Sequence, residues 1–511
     1  MSERISRREW LGGAAAGAAA FAIVGCQPTG KRDEKPLAEG GAASQPAGLD
    51  RTKVDDWTAM IHKASGAEAV EVKFSQKLVR RQRFTTDSLG EPGGDGRAGA
   101  GSTDTVRIRA IVGEKRGEAV AESFDEEAMA AAAKKAAEAA AIADAPAALP
   151  KIEPQFYPIL PTDRFETRRA TAERLAADAE ALRRILAEAK VAALGDISTS
   201  LEAVGVGTSY GVVAFERRTE ARLELRIGEG PGQLAVSLAD RSIDDLGAIE
   251  ALRATLPLVA AAGHAAPLPS GEFPVIFAPA ATASLMRLVT RSIADTPDAV
   301  NSSVLADRLG DEIVDSRLTL RHRPDHPSLL GCSFDDDGLA SEFHTWIDKG
   351  VLRRLRAGRG RSDGPPTPSP HAWMLSYEGA TAAAAAASGP DGAVGSGSAP
   401  QPGNDATLLA SLADLIAATS RGLVVLDFAV LATTQGADLP LLAARVGGPA
   451  LVVDDGKIVG GVTGVALEES VISLFNRIDA ATPPLPTLDV TRSQKWLAPA
   501  IRVTDVACAV A

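Results

Sequence analysis

The chain is 511 residues long, with a formal net charge of −12 and 45% hydrophobic content. That length supports two or three domains with proper cores, and the acidic balance argues against a general nucleic-acid binder, which needs a basic face. Three cysteines exclude a disulfide-built scaffold and a cysteine-rich zinc module, and an aromatic content of 4% leaves Ala, Leu, Val and Ile to build the cores.

Residues 1–26 read as an export signal. Arg7 and Arg8 precede a small-residue apolar run from Gly12 to Val24, and the pair resembles a twin-arginine signal. Ile23, Val24, Gly25 and Cys26 resemble a lipobox, in which Cys26 is acylated and becomes the first residue of the mature chain. The apolar run is short for a span of about 20 residues, which favours a cleaved lipoprotein signal over a plain membrane anchor. The mature protein is therefore expected outside the cytoplasm, on the periplasmic side, tethered to a membrane. Residues 27–53, rich in Gly, Ala, Pro and charge, are the expected tether.

The first folded unit is expected at 54–150. A helix from Val54 to Ser65 is followed by alternating strands, "AVEVKFSQ" and "VRIRAIVG", on either side of a Gly-rich excursion from Ser88 to Ser102. Asp125 is placed to cap an Ala-rich helix that Pro146 and Pro150 close. A middle α+β region spans 160–265. It has an amphipathic helix from Arg168 to Ala192, an antiparallel meander, and a helix from Ser242 to Ala262. The meander's "GTSYG" matches Gly-x-Ser-x-Gly. A strand follows Ser209 where a nucleophile elbow needs a helix, so this is a hairpin tip. "GEGPG" (Gly228 to Gly232) likewise lacks the helix that would present amides to a phosphate.

The last domain is expected at 270–511 and is β-rich. It opens with the buried strand "FPVIFAP" and a helix from Ala281 to Ala294, and it carries a low-complexity insertion at 364–405 with a short "WMLSYEG" strand inside. A bridge between Cys332 and Cys508 is left open. The fold class is α+β: N-terminal helices packed on antiparallel sheet, then a β-rich C-terminal domain.

The stretch "GCSFDDDGLASEFHTWIDKGVLRRL" carries three adjacent aspartates with Glu342, His344 and Asp348 behind them. Neighbouring side chains on a strand face opposite ways, and a calcium loop spaces its acids at alternate positions. The stretch therefore reads as strand, Asp-Gly turn, strand, Lys-Gly turn, strand. Its "FDDDGLASEFHTWIDKGVLRRL" resembles the C-terminal domain of the TldD/PmbA family, marked here by Phe334, Asp335, Gly338, Gly350 and Leu352, residues expected to shape the sheet. "GEFPVIFAPAATASLMRLV", "NSSVLADRLGDEIVDSRLTL" and "VRIRAIVGEKRGEAVAESFDEEAMAAAAKKA" resemble further family segments in the same order.

The resemblance implies a metallopeptidase relative. Family members of that type carry His-Glu-x-x-x-His on a helix of the first half of the chain or its equivalent, with the histidines on one metal and the Glu on its bound water; the strongest first-half helix here, "TAERLAADAEALRRILAEAK", has no histidine. That motif is absent here, and the helix from Ala280 to Ile293 has neither histidine nor acid. The chain thus resembles the PmbA/TldE-type subunit, a partner that completes the peptide-binding cavity of a metal-bearing TldD-type chain. No cofactor is expected on this chain, and zinc is expected on the partner. Self-association, and a binding or assembly lipoprotein without catalysis, are the alternatives. A third is a relocated metal site using His322, His326 and His344 with Asp325 or Asp335; His62, His264 and His371 are assigned no role.

Overall fold

The computed structural model describes residues 48–90, 101–143, 150–295, 303–359, 365–380, 406–434, 441–446, 449–489 and 491–510. The expected signal with Arg7, Arg8 and Cys26, most of the tether, and the insertion from 381 to 405 lie outside these residues.

The chain begins with α1 (Arg51–Ser65), capped by Asp50, whose carboxylate accepts the Lys53 N–H. Three strands follow: β1 (Ala69–Thr85), β2 (Gly101–Val112) and β3 (Lys115–Ala121). β1 runs nine residues past the expected "AVEVKFSQ", because in "KLVRRQRFT" only Leu78 and Phe84 show apolar alternation. Next is α2 (Glu126–Ile142), capped by Asp125 as the sequence predicts. The helix expected from Arg168 breaks into α3 (Phe165–Arg169) and α4 (Ala172–Ala189), since the Thr171 hydroxyl accepts the Arg174 N–H and starts α4 afresh. The meander is β4 (Ala193–Thr208), β5 (Val213–Ile227) and β6 (Leu234–Asp240). Helix α5 (Ala248–Ala262) starts six residues later than expected, after Gly247 in the left-handed region.

These strands make one antiparallel sheet in the order β3-β2-β1-β4-β5-β6. One face is apolar and carries helices. Val70, Val72 and Phe74 pack with Val54 and Ile61 of α1 and Met129 and Ala136 of α2. Phe84, Ile197 and Leu223 pack with Leu175, Leu182 and Leu186 of α4. The approach is close at Gly117, where an added Cβ would stand 2.2 Å from the Ala136 carbonyl of α2.

The C-terminal half begins with β7 (Gly271–Phe277) and α6 (Pro279–Thr290), with Pro279 in the first turn where a missing N–H costs nothing. Then come β8 (Leu318–His322), β9 (His344–Asp348), β10 (Val351–Leu352) and β11 (Trp373–Tyr377). Helix α7 (Ala406–Ala417) leads into β12 (Arg421–Val425), β13 (Phe428–Thr434), β14 (Leu441–Val446), β15 (Ala450–Asp454), β16 (Lys457–Val462) and β17 (Val465–Ser470). The chain ends with α8 (Val471–Phe475), β18 (Ile478–Ala481), β19 (Leu485–Leu488), β20 (Lys495–Ala498) and β21 (Ile501–Val510). One sheet runs β10-β9-β8-β11-β20-β19; the other runs β13-β14-β17-β21-β7-β12-β15-β16, with β18 on β21. Residues of α6 are buried almost all round, in one core with Trp346, Trp373 and Trp496. The architecture is α+β, as the sequence predicts.

Within the expected insertion, β11 occupies the middle of its sheet between β8 and β20, and Ala372, Trp373 and Leu375 are fully buried. The surface reading therefore does not extend to residues 371–377. The expected "WMLSYEG" strand is present, but in the core and not at the surface. Cys332 and Cys508 are both free and buried, so no bridge joins them.

Candidate functional site

The opposite face of the first sheet is polar. Side chains alternate along a strand, so β1 turns Glu71, Lys73, Ser75, Lys77, Arg81 and Arg83 to this side. In register, β2 adds Arg107 and Arg109, and β4 adds Glu202 and Asp196. Further along, β5 adds Glu216, Arg218, Arg222 and Glu224. An antiparallel sheet with one packed face ordinarily leaves the other to water. Here the C-terminal half docks on it through ionic and hydrogen-bonded contacts and two small apolar patches, Phe334 with Val204 and Val206 and Leu339 with Val212.

The first docking element is the turn at the aspartates. Asp335 is buried, and its carboxylate accepts the N–H groups of Asp337 and Leu339, each at 3.0 Å, and of Ser369 at 2.8 Å. Burial raises its pKa against those three bonds. Gly338 sits at φ +86, with Val206 2.9 Å from where a Cβ would be, so the tip lies flat on β4. Tyr157 donates to the Gly338 carbonyl at 3.0 Å. The other two aspartates reach out: Asp336 pairs with Lys73 at 2.6 Å, and Asp337 pairs with Arg109. The aspartates are thus a turn and two clasps. Arg218 donates to the Phe334 carbonyl at 3.2 Å, Glu216 accepts the Ser333 N–H at 3.0 Å, and Arg241 donates to the Gly331 carbonyl at 2.6 Å.

A second element is the turn between β19 and β20. Arg492 donates to Ser237 at 2.6 Å and pairs with Glu224 at 2.9 Å, while Arg222 donates to the Arg492 carbonyl at 2.7 Å. Lys495 pairs with Asp240 at 2.7 Å, both buried. Beneath this turn, Arg287 of α6 pairs with the buried Asp489 and donates to Gln494, each at 3.0 Å. Burial pushes the nearby Asp427 carboxyl up to about 6, with Arg492 opposing it. A third clasp is buried and bidentate: Arg359 meets both oxygens of Glu71 at 2.9 and 2.6 Å, and Tyr210 donates to Glu71 at 2.6 Å.

Behind the aspartate turn lies a buried imidazole cluster. His371 accepts the Cys332 N–H at 2.8 Å and stands 3.0 Å from its sulfur, while its Nδ1 faces the Ser369 carbonyl at 3.3 Å. His322 on β8 accepts the His371 N–H at 3.3 Å and meets the Glu342 carbonyl at 2.7 Å. His344 lies opposite His322 in the strand register, while its neighbour Phe343 is 57% exposed. Burial lowers all three imidazoles: His322 and His344 to about 4, and His371 well below the usual range. Burial also pushes the Cys332 thiol up to about 11, against the pull of Arg218. A neutral imidazole beside a protonated, fully enclosed thiol is not an activated nucleophile pair. The cluster packs the loop; it does not present reactive atoms to a substrate.

Of the proposed relocated ligands, the structure brings only His322 and His344 side by side, across β8 and β9. His326 accepts the Ser328 N–H, Asp325 pairs with Arg323, and Asp335 is spent on its turn. Among the described residues, no group of three or more His, Cys, Asp or Glu side chains is arranged to hold a metal ion. His62 and His264 bond carbonyls near the ends of α1 and α5. Phe334 packs with Val204 and Val206 under Tyr157, Gly350 shapes the tight turn from β9 to β10, and Leu352 is in the C-terminal core. His371, Glu71 and Arg359 escaped the sequence reading. His371 was obscured by its Pro-rich surroundings, and the other two by their separation along the chain.

Residues 270–510 match the family described as the PmbA/TldA metallopeptidase C-terminal domain. The chain belongs to the TldD/PmbA family. Its fold is similar to that of TldE from Thermococcus kodakarensis, with a TM-score of 0.70 at 18% identity, covering 90% of this chain and 100% of the other. It is also similar to a candidate modulator of DNA gyrase from Bacteroides thetaiotaomicron (TM-score 0.70, 15% identity, 90% of this chain and 99% of the other). Another such protein, from Thermotoga maritima, gives a TM-score of 0.66 at 15% identity over 89% of this chain and 99% of that one. No curated protein matches the sequence. Within this TldD/PmbA-family fold, the two halves of the chain meet at the polar seam and at an apolar core in which Leu258 and Val259 of α5 pack with Ile276, Val424, Leu451 and Val453.

Proposed function

We propose that this TldD/PmbA-family chain is the subunit without its own metal in a peptide-degrading pair, exported and held at a membrane through an acylated Cys26. The observation that carries this reading is α6. The helix has no histidine and no acid, and its one long polar side chain, Arg287, is committed to Asp489 and Gln494. A cation locked to a buried carboxylate is the wrong chemistry for a metal ligand. The seam supports the same reading, because its charges are paired with one another and none is set beside a reactive nucleophile.

In this role the chain contributes walls to a peptide-binding cavity, and a metal-bearing partner supplies the bond-breaking chemistry. The test is to purify the processed chain from its source membrane and identify what comes with it. The expected result is a family member bearing His-Glu-x-x-x-His, with peptide cleavage appearing only when the two are combined. Cleavage by this chain alone would overturn the proposal. Peptide binding with no effect on a partner's cleavage would make it a binding lipoprotein. The mass of the N-terminal peptide tests acylation of Cys26 separately.

A further inference from the structure

Residues 150–164 precede α3 as a strap with no helix or strand of its own. Its inward side chains are well placed. Ile152 packs with Val212 and Leu339, and the ring of Tyr157 stands 5.6 Å from that of Phe334. Where β6 no longer pairs with β5, the strap takes its place: the Thr219 N–H donates to the Thr162 carbonyl at 2.9 Å, and the Thr162 hydroxyl donates to the Arg217 carbonyl at 2.6 Å. Covering a free strand edge explains the backbone of this strap. It does not explain Phe156 and Ile159, which are 100% and 101% exposed. Two large apolar side chains, three residues apart on one strap, touch nothing that would take them out of water.

We propose that Phe156 and Ile159 insert into the surface of a lipid bilayer and set how the body lies on the membrane; this rests on the lipidation reading above. Residues 27–47 separate Cys26 from the start of the described body at Gly48. Fully extended, they reach at most about 75 Å, so a chain acylated at Cys26 keeps its body beside the bilayer. Arg51, three residues after Gly48 in the first turn of α1, is close enough to Tyr157 of the strap for its charge to act on the phenol. The two side chains stand free instead of lining a groove, a shape suited to the boundary between headgroups and acyl chains. Arg51 on α1, Lys151 on the strap and Arg169 on α3 are exposed, with the Arg169 guanidinium 4.8 Å from the ring of Phe165. Glu153 and Glu166 are exposed among them, so anionic headgroups strengthen the contact without being required for it.

The test uses residues 27–511, which lack the acylation site but keep the whole unit from Pro46 to Ala511. The chain is sedimented with phosphatidylcholine vesicles, with and without phosphatidylglycerol. It is expected to bind both, more tightly with phosphatidylglycerol, and the double variant Phe156→Ser/Ile159→Ser is expected to lose at least about tenfold in binding. Its Tm should be unchanged, because both side chains are fully exposed. A photo-cross-linking residue in place of Phe156 should label lipid. Failure of the unsubstituted chain to bind, equal binding by the variant, or cross-links to a second copy or another protein would overturn the proposal. Because this chain has no Cys26, a negative result here leaves the acylation measurement untouched, and the converse also holds.

Discussion

The two faces of the first sheet are made by the same strands and held by opposite means. The helix-bearing face is apolar, and around α1 and α2 it is local: Val70, Val72 and Phe74 pack with helix residues within seventy positions of them. The other face is ionic and remote. Glu71 meets Arg359, 288 residues away, and Asp240 meets Lys495, 255 residues away. Burial of apolar area is non-directional and tolerates rearrangement. A buried charge does not, because the loss of either partner leaves the other desolvated and unpaired. The N-terminal sheet can therefore take conservative changes on its helix side, whereas its seam with the C-terminal half depends on individual pairs.

The largest expected effect is at the buried bidentate pair. Arg359→Ala strands a buried Glu71 carboxylate and should cost about 3–5 kcal/mol in urea unfolding; a loss below about 1 kcal/mol would mean that the seam is not held as described. On the helix side, Leu182→Met should cost less than about 1.5 kcal/mol, and Gly117→Ala about 1–3 kcal/mol because its Cβ meets helix backbone. If the ordering of Arg359→Ala and Leu182→Met came out reversed, the contrast between the faces would fail.

The buried imidazoles add a pH dependence of defined sign. Unfolded, His322 takes up its proton near pH 6.5; folded, it does so only at about 4. Its contribution is complete above pH 6.5 and is lost as pH falls toward 4, by up to about 3 kcal/mol. Stability measured from pH 7 to 4.5 should decline more steeply for the native chain than for His322→Gln. Parallel curves would show that this imidazole already protonates in the fold. The smallest effect belongs to the outer clasp: the Asp336 side chain is 65% exposed, so Asp336→Ala should cost at most about 1 kcal/mol and lose even that in high salt.

The same contrast explains what could be read from the sequence. The helix cap at Asp125 and the alternation of the meander are local signals, and the corresponding elements stand where those signals put them, with ends shifted by a few residues. The aspartate run was legible as a turn because Asp-Gly chemistry is local. The identity of its clasps was not, since alternation shows which side a charged residue faces but not which distant residue it meets. His371 was missed for a different reason: a segment of Pro, Ser, Gly and Ala gives no periodic signal, yet its last residues before β11 pack against Cys332 and His322. Phe343 and His344 show the limit of hydropathy alone, with the imidazole buried and the phenyl ring outside.

The most direct test of the central claim is the metal content of residues 27–511 after dialysis against metal-free buffer. Near-zero metal is the expected result, because α6 carries no histidine or acid and its Arg287 is held by Asp489 and Gln494. Stoichiometric zinc would contradict it and would make His322, His326 and His344 the first residues to replace.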